Sequence, residues 1–170
     1  MNHIRVTCVA VLLISGAFSA CRMSPDPNAE KAERRQAIQS VIDSYVEQFN
    51  ERNLETMPTF WHPPGWVAFG DGSRMLERDE DVRDFYRETL EAIKVDGFDH
   101  SEVIDTKITM LNPTCALVDM TFNRWNKKGE IIPPSGRSVT YLLLERSGRW
   151  GISTLIVPGT DQVIPRSATG

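Results

Sequence analysis

The hydrophobic period of this chain changes along its length, and that change restricts the fold more than any motif does. Ile38, Val41, Ile42, Tyr45, Val46 and Phe49 recur at three- and four-residue steps, the stripe of an α-helix predicted over Glu30–Asn53. A second stripe of Val82, Phe85, Tyr86, Leu90 and Ile93 follows the acidic start Asp79-Glu80-Asp81, whose charge suits exposed helical N–H groups, and stops at Gly97. From Glu102 onward the period is two, as a pleated strand requires. Strands are predicted over Glu102–Leu111, Cys115–Asn126, Ser138–Arg146 and Arg149–Val157. Ile104, Ile108 and Met110 share a face of the first; Val118, Met120 and Phe122 oppose Leu117, Asp119 and Thr121 in the second.

Between the two helical stripes lies "PTFWHPPGWVAFGDG", Pro58 to Gly72. A short helix from Leu54 to Phe60 or Trp61 is expected to stop at His62-Pro63-Pro64-Gly65, because proline removes a donor and constrains the residue before it. Trp66–Gly70 reads as a strand and Asp71-Gly72 as a turn. The order helix, helix, strand, helix and four long strands is an α+β arrangement with an antiparallel sheet.

The N-terminus is of another kind. Val6 to Phe18 is an apolar run too short to span a bilayer, which takes about 20 residues, but suited to a secretory signal over residues 1–20. Phe18-Ser19-Ala20-Cys21 resembles the lipobox of bacterial lipoproteins, which implies a lipid-modified Cys21 anchored in a bilayer. Ordinary cleavage after Ala20, giving a secreted protein, is the alternative. Both place the protein in the bacterial cell envelope, on its periplasmic face, or outside it. Residues 21–31 read as a tether, 32–158 as one domain and 159–170 as a flexible tail.

Composition removes several functions. The formal charge is −4 with no basic run, so nucleic-acid binding has no electrostatic footprint. Of three cysteines, Cys8 leaves with the signal and Cys21 is taken by lipid. Cys115 opens an apolar run and suits a small buried hydrophobe better than a nucleophile. No H-x-x-H or C-x-x-C spacing supports a metal, and no glycine loop supports a phosphate-bearing cofactor, so neither is expected.

The phrases "VIDSYVEQFNERNLETM" (Val41–Met57), "GDGSRMLERDEDVRDFYRETL" (Gly70–Leu90) and "YLLLERSGRWGIS" (Tyr141–Ser153), in that order, resemble the nuclear-transport-factor-two-like superfamily with its SnoaL-like and ketosteroid-isomerase-like members. The resemblance implies a curved antiparallel sheet wrapped around three N-terminal helices, a cone-shaped α+β barrel of cystatin-like type. Its wide end holds a cavity, and its outer sheet face often makes a homodimer. Ketosteroid isomerases combine a tyrosine, an aspartate base and a protonated aspartic acid. Alignment places Tyr45 at the tyrosine, Phe69 at the base and Thr140 or Tyr141 near the third position, so that acid/base set is not retained.

Three readings stay open, one of them an interaction module whose exposed sheet face makes a homodimer or docks another envelope component; the other two use the cavity. In one, the cavity binds a small, mostly apolar molecule, with Tyr45, Trp61, Val67, Phe69, Tyr86, Asp119 and Tyr141 as candidate contacts. In the other, a cofactor-free isomerase, lyase or hydrolase uses Asp71 or His62 as acid or base with Tyr45 as donor. Asp71 is equally a turn residue bonding its own backbone, and His62 equally a residue at a helix end. Asp119 faces either the cavity or the outside of the sheet.

Overall fold

A computed structural model describes residues 26–70 and 72–158. Cys21, Asp71, the signal segment and the 159–170 tail lie outside the described residues.

Helix α1 runs Pro27–Asn50. It begins earlier than predicted because Asp26 caps it, accepting the Asn28 N–H at 2.9 Å, while Pro27 occupies a first-turn position that needs no donor. Residues 27–29, expected in the tether, are therefore helical. The stripe buries as predicted: Ile38, Ile42, Tyr45 and Phe49 are all in the core. After Asn50 the chain reverses through Arg52, which adopts φ 60°. The Asn50 side chain then pairs with the Ser101 backbone, donating at 2.9 Å and accepting at 2.8 Å.

The expected second helix shrinks to a single 3-10 turn, Met57–Phe60, so two α-helices rather than three pack on the sheet. Strand β1 is Trp61–Phe69, taking in the His-Pro-Pro-Gly corner as an irregularity. Its partner β2, Gly72–Leu76, is a short strand the sequence did not announce. Helix α2 covers Asp79–Lys94, and the Asp81 carboxylate accepts the backbone N–H groups of Arg78 and Glu77 at 2.9 and 3.1 Å. Strands β3 (Phe98–Asn112), β4 (Cys115–Asn126), β5 (Arg137–Arg146) and β6 (Arg149–Ile156) complete one curved sheet, ordered β2-β1-β6-β5-β4-β3. Every neighbouring pair is antiparallel except β1 with β6.

Register decides which side chains reach the helices. One row crosses the sheet as Ile108, Val118, Tyr141, Leu155, Val67 and Arg74, and its four central members, Val118, Tyr141, Leu155 and Val67, face the core. The adjacent row of Leu117, Leu142, Thr154, Trp66 and Met75 faces outward. The predicted face of β3 breaks at a bulge between Val103 and Asp105. The extra residue there inverts the alternation, leaving Ile104 53% exposed while Val103, Ile108 and Met110 pack on the core.

Glycine permits two close approaches. A Cβ on Gly65 would lie 2.9 Å from the Trp61 ring, and one on Gly151 would lie 2.7 Å from the His62 ring. Both are buried, and together they let the Pro-rich corner sit flat against β6.

Candidate functional site

Between α1, α2 and the concave face of the sheet a cavity of about 290 Å³ remains. Its wall is largely apolar, with Phe49, Phe85, Met120, Phe122, Val139 and Leu155 among the lining residues. Phe69 is part of this wall and packs against Phe85 at a ring separation of 6.5 Å.

Against that wall stand the chain's three tyrosines, Tyr45, Tyr86 and Tyr141, brought together from α1, α2 and β5. The Tyr45 ring meets Tyr86 and Tyr141 edge-on, with centroids 6.0 and 5.6 Å away. Their hydroxyls form a directed relay. An indole can only donate, so Trp61 Nε1–H must give its proton to the Tyr86 oxygen, 3.1 Å away. The Tyr86 proton is then free to point to the Tyr45 oxygen at 3.2 Å. Tyr141 also hydrogen-bonds Tyr45. Tyr45 thus accepts from Tyr86, and its own proton can turn to Tyr141 or to a group in the cavity.

Burial sets the protonation of the cluster. It pushes the Tyr86 and Tyr141 phenols well above the ordinary tyrosine range, and the neighbouring Tyr45 pushes them further. Burial also raises Tyr45, but the Tyr86 and Tyr141 hydrogen bonds and the Arg124 charge oppose it. All three are neutral donors at physiological pH, with Tyr45 the best placed of them to release or share a proton.

Arg124 is the charged residue of the lining. It follows Phe122 by two positions in β4, so both point to the concave side, and its guanidinium sits 5.7 Å from the Phe122 ring. Its Nε is buried without a hydrogen-bond partner. Burial lowers its pKa, and the nearby Arg137 charge lowers it further.

A family model described as "NTF2-like protein (DUF6841)" matches residues 32–160. The chain belongs to that family. Solved structures with the same fold include an uncharacterised protein with a cystatin-like fold from Caulobacter vibrioides, 21% identical, covering 73% of this chain and 87% of that one at a TM-score of 0.58. An NTF2-like protein with a cystatin-like fold from Novosphingobium aromaticivorans is 15% identical, covering 81% and 88% at 0.61. Another protein from that organism, provisionally assigned as a scytalone dehydratase, is 15% identical, covering 76% and 86% at 0.57. These likenesses show the fold alone. No curated protein matches the chain.

In this NTF2-like domain the candidate residues separate into groups. Tyr45, Phe69, Tyr86 and Tyr141 line the cavity together. Trp61 and Val67 are fully buried behind it, and Trp61 acts through Tyr86. Asp119 pairs with Thr140 across the sheet, accepting from its hydroxyl at 2.7 Å on the outward side, away from the cavity. His62 is buried outside the lining. The Arg149 guanidinium donates to its Nδ1 at 2.9 Å, so Nε2 carries the proton and donates to the Arg149 carbonyl at 3.0 Å. Burial and the Arg149 charge lower its pKa, and both ring nitrogens are engaged. His62 thereby ties the β1 corner to the β5–β6 hairpin, while Arg149 also donates to the Thr59 and Trp61 carbonyls.

Cys115 is free and half-buried on β4. Among the described residues no three His, Cys, Asp or Glu side chains converge as metal ligands, and no helix is long and apolar enough to cross a membrane. The sequence reading missed Arg124 as a lining residue. Its signal was present in the alternation Val118, Met120, Phe122, Arg124, which carries a charge onto the apolar face of β4.

Proposed function

We propose that this domain is a binding module whose cavity takes one small, mostly apolar molecule. The observation that carries the reading is the pairing of an apolar hollow with Tyr45, a neutral hydroxyl in its wall that accepts from Tyr86 and can turn its own proton to a ligand. A cavity of about 290 Å³ is close to twice the roughly 150 Å³ that holds a benzene in an engineered apolar site, which suits a two-ring or short-chain ligand. Native mass spectrometry of the domain from its own organism tests this. A retained small molecule, released on unfolding, is the expected result; an empty domain that also ignores apolar compounds of this size refutes it.

The second reading is the cofactor-free acid/base enzyme. Tyr45 as a donor to an oxygen that gains charge, and the provisional dehydratase assignment of one structural neighbour, speak for it. Both ring nitrogens of His62 are engaged by Arg149 and the ring lies outside the cavity lining, so the base in this reading is Asp71. Turnover of any substrate must then disappear in Asp71→Asn and survive in His62→Gln.

We also propose that the module works in the bacterial envelope, anchored through an acylated Cys21, on the strength of the lipobox-like Phe18-Ser19-Ala20-Cys21. Cys21→Ala is expected to release the protein from membranes; unchanged membrane association rejects the anchor.

A further inference from the structure

The reading of the cavity as a binding site leaves open what polar group its ligand carries, and Arg124 narrows that choice. We propose that the ligand is a small aromatic or aliphatic carboxylic acid, bound as its anion with the carboxylate against Arg124 and the apolar body along Phe49, Phe85 and Val139. This inference rests on the binding reading.

Three observations meet at Arg124. It lines an otherwise apolar cavity, its Nε is buried and unpartnered, and no ion pair to it is found among the described residues. Arg124 is half-buried, with its Nε sealed from water, and even partial desolvation of a guanidinium without a counter-charge is costly, so an arriving anion is favoured there. The surrounding charges strengthen the argument. Arg137, opposite Phe122 on β5, adds positive potential and has its own buried, unpartnered Nε. Asp96, Tyr45 and Tyr141 are the groups that act favourably on Arg124, and the two tyrosines are neutral. Asp96 acts at a distance, without a direct ion pair.

The chemistry of the donors selects a carboxylate. A guanidinium fork matches its two oxygens, and the Tyr45 hydroxyl, which lines the same cavity, can turn its proton to one of them. A single charge fits a wall whose remaining residues are mostly apolar; a dianion would leave charge against phenylalanine.

Matched probes test this on the domain: 2-naphthoate and 2-naphthylmethanol, alike in ring and nearly alike in size, measured by titration calorimetry against the wild type and Arg124→Gln. The wild type should bind the acid at least about ten-fold more tightly than the alcohol. Arg124→Gln should lose that preference while keeping its affinity for the alcohol. Thermal melting of the variant serves as the folding control, and its midpoint should be close to that of the wild type, because Arg124 is half-exposed and makes no ion pair among the described residues. Equal wild-type affinities, or a preference that survives Arg124→Gln, overturn the carboxylate inference and leave the binding reading standing. If neither probe binds the wild type, both fall.

Discussion

Trp61 donates its indole proton to Tyr86 across 3.1 Å, and Tyr86 in turn donates to Tyr45 at 3.2 Å. The indole can only donate, so Tyr86 keeps its own proton for Tyr45, and the Tyr45 proton can turn to Tyr141 or to a group in the cavity. Trp61, which the sequence suggested as a ligand contact, thus positions the hydroxyl that makes contact.

Trp61→Phe removes the donor and keeps most of the apolar bulk. Loss of a buried hydrogen bond costs about 1 kcal/mol, and the smaller ring adds a packing loss of similar order. Ligands that accept a hydrogen bond should weaken several-fold, while those lacking an acceptor should bind almost unchanged. Chemical denaturation and a matched ligand pair measure the two effects; equal weakening of both ligands contradicts the relay.

Every tyrosine of the chain is in the cluster, so the ultraviolet titration of tyrosinate reports on this site alone. Folded-state phenol pKa values raised above 10.0 mean that the fold favours the protonated form. The stability this contributes is fully present below the unfolded pKa of about 10 and is lost as pH rises through the folded values. Little tyrosinate should appear in the native domain near pH 10, and the rest should appear together with unfolding. Three independent phenols titrating near 10 in the folded protein would contradict burial of the cluster.

His62 gives a dependence at the other end of the scale. Its folded pKa is lowered from 6.5, so its contribution is present above that value and fades as pH falls through the folded pKa. A proton added at Nδ1 would face the Arg149 guanidinium. The melting temperature should therefore decline on acidification below about pH 6, and His62→Gln should flatten that decline. Gly151→Ala attacks the same contact sterically, placing a methyl against the His62 ring, at an expected cost of about 1–3 kcal/mol by thermal melting.

How much of this was legible beforehand depended on whether a property is local. The α1 stripe from Ile38 to Phe49 and the α2 stripe from Val82 to Ile93 are periodic over many residues, and both bury as read. Leu54 and Met57 are too few to distinguish a helix from the single 3-10 turn that forms there. Strand β2 lacks alternation and exists because β1 offers it an edge. The bulge at Ile104 depends on the register with β4, and a one-residue shift inverts a face without any sign in β3 itself. Tyr45, Tyr86 and Tyr141 were each visible as candidates, but their meeting is tertiary. Arg124 was readable from alternation and was overlooked because arginine on a strand is usually solvated.

Occupancy of the cavity is the central claim, and blocking its mouth tests it most directly. Ala92 lines the cavity from an exposed position on α2, so Ala92→Trp can fill the opening with little disturbance to the core. Calorimetric titration with 2-naphthoate should give one site per wild-type domain and at least a ten-fold loss in a variant that melts at a similar temperature. Undiminished binding to Ala92→Trp, or no binding to either protein, would contradict the account.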